Sequence, residues 1–162
     1  KYKLNDITIV PGGETRSDSS LSGLLNCHEN CHNVLIHDAA RPYIKQDLIN
    51  KSLKYLEGYD AAVPIINCTD SLIEIKSNNN KYVNRNKIKL IQTPQAFKYQ
   101  KILSALKNKK HDYSDDLSAL LGFDNNIKYL LFEGDPDNFK VTTNNELKLA
   151  KALSIGGKEM GV

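Results

Sequence analysis

The chain has 162 residues and a formal net charge of +3, with 40% of residues hydrophobic and 25% charged, values that suit one domain with a single core. Its lysines are dispersed, and the densest basic run (Lys107, Lys109, Lys110 and His111) reads as a solvated helix end, so nucleic acid is not implied as a partner. No apolar stretch approaches about 18 residues and no signal peptide is recognisable; neither a membrane nor export is implied, and a cytoplasmic location is expected.

Ile7–Val10 reads as a short strand ending in Pro11-Gly12-Gly13. Ser17-Asp18-Ser19 offers a helix N-cap, and Leu21, Leu24 and Leu25 follow at helical spacing. Cys27-His28-Glu29-Asn30-Cys31-His32 invites a zinc reading. It is a single cluster without a second ligand pair at finger-like spacing, and a surface loop is expected. The odd cysteine count, three, argues against a disulfide framework. Asn33–Ile36 is the next strand, Gln46–Leu56 an amphipathic helix, and Ala61–Ile66 a buried strand.

From Thr69 to Lys89 the pattern weakens into two short strands, Leu72–Ile75 and one around Tyr82-Val83, joined by a polar turn. Neither can bury both faces, so a projecting hairpin arm is expected at about 71–89. The segment from Leu90 to Gln95 re-enters the body. A helix from about Lys98 to Lys107 and another after a Ser114 cap follow, then strands at Ile127–Phe132 and Lys140-Val141. Thr143 to Glu146 forms a capping box for a last helix reaching about Leu153. The expected organisation is one domain over 1–155 with a frayed tail at 156–162.

Strands separated by helices predict an α/β fold with a mostly parallel, doubly wound, Rossmann-like sheet, in which ligands bind beyond the strands' C-terminal ends. By this reading Gly12-Gly13, Asp38 to Arg41 and Asp70-Ser71 follow successive strands and converge on one edge. The apolar run of Val34, Leu35 and Ile36 ends in His37-Asp38-Ala39-Ala40-Arg41-Pro42. A carboxylate and a guanidinium so close at a strand end suit a site that handles both a cation and a phosphate, or else a structural pair closing a turn.

Several motifs occur in a recognisable order: Gly12 to Ser20, His37 to Pro42, Gln92-Thr93-Pro94-Gln95-Ala96-Phe97, Ser114-Asp115-Asp116 and Asn138 to Thr143. Together they resemble the 2-C-methyl-D-erythritol 4-phosphate cytidylyltransferases of the non-mevalonate isoprenoid pathway. The pentitol-phosphate cytidylyltransferases, which make CDP-ribitol and similar products, share parts of these motifs. His37 to Pro42, and Arg85 followed by Gln92 to Gln95, favour the methylerythritol enzymes, whereas Ala61 through Ser71 resembles the pentitol group at least as well.

The resemblance implies transfer of CMP from CTP, carried with Mg2+, to a sugar-alcohol phosphate, with pyrophosphate released. In such a reaction catalysis is mainly positioning and charge neutralisation. It also implies roles. Gly12, Gly13, Glu14, Ser19, Asp38 and Ala39 would bind the nucleotide, with Asp38 lying close to the magnesium of CTP. Arg41, Ser71, Arg85, Ser114 and Lys140 would bind the acceptor, and Lys140, Arg85 and Asp38 form the catalytic set. Ser71 and Ser114 stand where threonine is usual, and each keeps a hydroxyl. Arg85 would act on a neighbouring subunit, its arm crossing in a homodimer.

The family begins with a strand and a Gly-rich loop whose arginine and lysine wrap the triphosphate. This sequence resembles the C-terminal two-thirds, and the expectation is little turnover by the 162-residue chain alone. The rival reading is a non-catalytic module that dimerises or binds nucleotide. A dinucleotide-binding oxidoreductase would need Gly-x-Gly-x-x-Gly, which does not occur.

Overall fold

The computed structural model describes residues 7–77 and 79–159, with side chains through 154. Its elements are α1 (Arg16–Leu25), β1 (Asn33–Ile36), α2 (Gln46–Tyr55), β2 (Ala61–Asn67), β3 (Leu72–Glu74), β4 (Lys81–Val83), β5 (Lys89–Ile91), β6 (Gln95–Lys98), α3 (Tyr99–Lys107), α4 (Asp116–Phe123), β7 (Tyr129–Glu133) and α5 (Asn144–Glu159). A 3₁₀ turn, Arg85–Lys87, links β4 to β5.

β2 is the axis. It pairs in parallel with β7, and antiparallel with β6 through Ala61-Ala62 and with β5 through Ile65–Asn67. β6 also pairs antiparallel with β1, Ile36 opposite Gln95. Thus β1, β2 and β7 share one direction, and the β5–β6 strip runs against them. The mixed sheet corrects the expectation of a mostly parallel one. Gln95–Lys98 is short, begins with a glutamine and passes directly into α3, so its strand character was hidden inside the re-entering segment.

Side-chain alternation along β2 sorts the core onto two faces. Ala61 and Val63 join Phe97, Ile102, Leu106, Leu117 and Leu120 under α1, α3 and α4. Ala62 joins Ala96, Leu48, Leu56 and Phe132 under α2. Ala61, Ala62, Val63 and Phe97 are all 0% exposed, which explains why this strand reads as a continuous apolar run.

Other expectations shift by small amounts with clear causes. Ile7–Val10 forms no strand; Ile9 is 92% exposed and the segment pairs with no described strand. The cap of α1 is Thr15, not the Ser17–Ser19 stretch, and Asp18 completes its capping box. α4 is capped by Asp115 instead of Ser114, with Ser118 as its reciprocal partner. Lys140-Val141 is not a strand, although Val141 N–H donates to Ala40 O at 2.8 Å. α5 passes its expected end at Leu153, because glycine weakens a helix without removing a hydrogen bond; residues 160–162 of the expected tail lie outside the described residues. β3 and β4 do form a two-stranded sheet of their own, with Ile73 46% and Tyr82 79% exposed.

Candidate active site

The chain leaves β1 at Ile36 and within two residues presents Asp38. Asp38 Oδ2 lies 3.1 Å from Lys140 Nζ and 3.6 Å from Arg41 Nε. Burial pushes the Asp38 carboxyl up, but the Lys140 hydrogen bond and the charges of Lys140, Arg16 and Arg41 prevail and hold it below its ordinary value. Arg41 Nη1 donates to Asn138 O at 2.8 Å, and the buried Asn138 donates from Nδ2 to Thr93 O at 2.7 Å. The Asp38 backbone N–H donates to Thr93 Oγ1 at 3.0 Å. His37 bridges the same loops, with Nδ1 2.9 Å from Thr93 Oγ1 and Nε2 3.0 Å from Arg41 O. The loops after β1, before β6 and after β7 are therefore fastened to one another by polar groups with little freedom to move.

A second group of contacts holds α1 against α4. Arg16, in the first turn of α1, pairs through Nη2 with Oδ2 of Asp116, which is buried. That hydrogen bond raises the pKa of Arg16 above its ordinary value and so favours the charged guanidinium, against the opposing effect of burial. Gln95, also buried, donates to Asp115 Oδ2 at 2.8 Å and accepts the Leu117 N–H at 3.0 Å. The start of β6 is thereby tied to the start of α4. Lys109 Nζ meets Asp18 at 2.7 Å and braces the cap of α1.

Two cavities open along this rim. The smaller, about 290 Å³, is lined by Arg16, Asp38, Arg41, Thr93, Ser114 and Lys140 among others. The larger, about 710 Å³, runs beneath α1 and β1 past Ser19, Leu24, Cys27, Cys31, Asp38 and Ala39. Gly12 and Gly13 lie beside Ser19, which lines the larger one. Gly13 N–H donates to Ser19 Oγ at 3.0 Å, and a Cβ on Gly13 would stand 2.1 Å from the Cβ of Asp18. Gly13 thus serves a close approach, and its amide is already engaged. Glu14 is exposed. In the Cys27–His32 loop, Cys27 and Cys31 turn in against the core while His28, Glu29 and His32 stay exposed.

The structure thus brings together Asp38, Ala39, Arg41, Ser114, Lys140 and Ser19. Arg85 and Ser71 do not line the two rim cavities. Arg85 donates to Thr69 O at 2.6 Å and borders a separate hollow with Asn67, Cys68 and Lys89, and Ser71 lines neither cavity at the rim. Of the expected trio of Gly13, Asp38 and Ser71, Asp38 lines both rim cavities, while Gly13 sits beside Ser19 of the larger one and Ser71 precedes β3 of the hairpin. Arg16, Thr93, Gln95 and Asp115 were not foreseen as site residues. All lie inside the quoted motifs, and Arg16 stands between Gly13 and Ser19 in the first of them.

Cations gathered around one carboxylate at the strand ends of a three-layer α/β sheet define a protein that handles phosphate groups. The model of the 2-C-methyl-D-erythritol 4-phosphate cytidylyltransferase family matches residues 2–154, and the chain belongs to that family. It is 38% identical over 160 residues to the 2-C-methyl-D-erythritol 4-phosphate cytidylyltransferase of Clostridium botulinum (strain ATCC 19397 / Type A), covering 94% of this chain and 69% of that protein. It is 36% identical over 157 residues to a bifunctional enzyme of Pelagibacter ubique (strain HTCC1062), covering 96% of this chain but 42% of that protein. Among solved structures, the 4-diphosphocytidyl-2C-methyl-D-erythritol synthase of Anaerococcus prevotii DSM 20548 superposes with a TM-score of 0.84 at 28% identity, covering 94% of this chain and 72% of that one.

Proposed function

We propose that this chain provides the acceptor site and part of the nucleotide site of an enzyme that transfers CMP from CTP to 2-C-methyl-D-erythritol 4-phosphate. Pyrophosphate is the other product, and the reaction serves the non-mevalonate route to isoprenoids. The observation that carries this reading is the Asp38–Lys140–Arg41 cluster, in a cavity that Arg16 and Ser114 also line. In this reading the acceptor's phosphate oxygen attacks the α-phosphorus of CTP. Lys140 neutralises charge on the phosphoryl group, Arg41 and Ser114 orient the acceptor, and Asp38, Ala39, Ser19, Gly12, Gly13 and Glu14 form the nucleotide side.

Magnesium is proposed to arrive as part of the Mg–CTP substrate. Asp38 is already matched by two cations, and no three of the described His, Cys, Asp and Glu side chains gather as a metal site. A homodimer is proposed on the same basis as a second acceptor contact. The β3–β4 hairpin pairs with no strand of the main sheet, and the Arg85 that follows it borders a hollow that Asp38 does not line, as a residue that completes a partner's site would. Among the described residues no helix is long and apolar enough to cross a membrane, in keeping with the proposed cytoplasmic location. The 162-residue polypeptide spans 69% of the Clostridium relative, and taken alone it is proposed to turn over slowly for want of further cations around the triphosphate.

The test is pyrophosphate release by the intact protein with CTP, ATP or GTP, using methylerythritol 4-phosphate or ribitol 5-phosphate as acceptor. Release confined to CTP with methylerythritol phosphate is expected. Preference for ribitol phosphate would move the protein to the pentitol branch, and release indifferent to the base would discard the cytidylyl reading.

A further inference from the structure

Three of the site's side chains hang from one turn. Arg41 N–H donates to Asp38 O at 2.9 Å and closes Asp38-Ala39-Ala40-Arg41, while Val141 N–H donates to Ala40 O at 2.8 Å and seats Lys140 beside the turn. The two alanines carry no polar side chain to brace it. His37 reaches both ends. Its Nε2 lies 3.0 Å from Arg41 O and its Nδ1 2.9 Å from Thr93 Oγ1, the same hydroxyl oxygen that accepts the Asp38 N–H at 3.0 Å.

Counting donors and acceptors fixes the direction of each proton along this line. Arg41 O is a carbonyl and only accepts, so the ring proton sits on Nε2. Nδ1 is then the acceptor, and the Thr93 hydroxyl donates to it while a lone pair of the same oxygen takes the Asp38 N–H. The line therefore runs one way, from the Asp38 amide through Thr93 and His37 to the Arg41 carbonyl, and aligned bonds of this kind reinforce one another. Its middle is anchored, since Thr93 is buried and its carbonyl accepts from Asn138 Nδ2.

We infer that His37 is a positioning residue for the transfer: as the Nε2–H tautomer it sets Asp38 through Thr93, and Arg41 through its carbonyl. This inference rests on the cytidylyl-transfer reading. His37 does not line the cavity that Asp38, Arg41 and Lys140 share, so it acts through its neighbours. A misplacement of about 1 Å at a reacting centre can cost about 10²-fold in rate. The alternative is a bridge that only stabilises the fold.

The test uses the intact protein, with turnover measured well below each variant's melting temperature. His37→Gln keeps an N–H for Arg41 O but removes the ring nitrogen that receives the Thr93 hydroxyl; Thr93→Val removes that hydroxyl from the other side. His37→Gln should lose about 10- to 10²-fold in kcat, and Thr93→Ser, which keeps the hydroxyl, should lose less than Thr93→Val. The double variant of His37→Gln with Thr93→Val should be no slower than Thr93→Val alone, because both changes break one line. Losses that multiply in the double variant, or a lowered melting temperature with wild-type kcat in His37→Gln, would overturn the inference and leave the fold-stabilising bridge. Nitrogen NMR of the wild-type imidazole needs no variant: a protonated Nε2 with a bare Nδ1 is expected, and the opposite tautomer would also overturn the inference. A wild-type protein that transfers nothing from CTP would remove the cytidylyl reading and this inference with it; an active wild type with an equally active His37→Gln would remove this inference alone.

Discussion

Lys140 Nζ lies 3.1 Å from Asp38 Oδ2, joining the loop that leaves β7 to the loop that leaves β1. Because Asp38 is held below its ordinary value chiefly by Lys140, against the opposing effect of burial, the pair makes a signed prediction. A carboxylate with a lowered folded pKa adds stability above its unfolded value, and that stability is lost as pH falls through the folded value. Lys140→Ala should therefore raise the Asp38 titration midpoint, followed by carbon NMR of the carboxyl, and move the acid loss of stability to higher pH. In the intact enzyme the same change should lower kcat about 10²-fold. An unmoved Asp38 midpoint would mean that Lys140 does not govern this carboxylate.

Arg85 borders a hollow that Asp38 does not line, so subunit mixing tests the proposed exchange. Arg85→Ala and Asp38→Asn proteins, each expected to be inactive, are unfolded together and refolded together. Regained turnover is expected, since some sites in mixed dimers combine an intact Asp38 with an intact Arg85. Mixtures that stay as inactive as their parents would show that Arg85 serves its own chain or none.

How much of this was legible in the sequence depended on how each residue reaches the site. Asp38 and Arg41 follow β1 directly, so an apolar run ending in polar residues exposed them. Lys140 and Ser114 could be named only through family motifs. Thr93 lies just before, and Gln95 at the start of, a strand that runs opposite to its neighbours. Ile36 stands opposite Gln95, so the entrance of β6 lies at the same rim as the exit of β1, and a search confined to strand exits passes over it. Arg16 looked like one more polar residue of a cap. Its meaning appears only with Asp116, whose burial no local pattern announces. The hairpin was legible because two short half-exposed runs flank a polar turn. Ile7–Val10 was misread because apolar residues alone do not supply a neighbouring strand.

Gln95 should be costly to replace by an apolar residue of similar size. Gln95→Leu removes the acceptor of the Leu117 N–H and a donor to Asp115, and leaving such buried groups unmatched costs about 1–3 kcal/mol. Urea unfolding should show the loss as a lower midpoint with an unchanged slope. A midpoint equal to that of the wild type would mean that the start of α4 finds other partners.

Glu146 accepts the backbone N–H groups of Thr142 and Thr143 at 2.6 and 2.7 Å, and these bonds lower its pKa to about 2. Its support of α5 is thus present above the ordinary glutamate range and disappears as pH falls toward about 2. Glu146→Gln should lower the melting temperature at neutral pH and leave it nearly unchanged at the acid end. An equal drop at both ends would point to lost packing instead of lost charge.

Arg16 and Asp38 line both rim cavities, and this common wall has a consequence for inhibitor chemistry. Two fragments, one shaped for each cavity, would end close enough to be tethered by a short linker across that wall. Once one fragment is seated, the other is presented at an effective concentration in the millimolar range, and the tethered molecule can exceed either fragment's affinity by about 10²–10⁴-fold without any new contact.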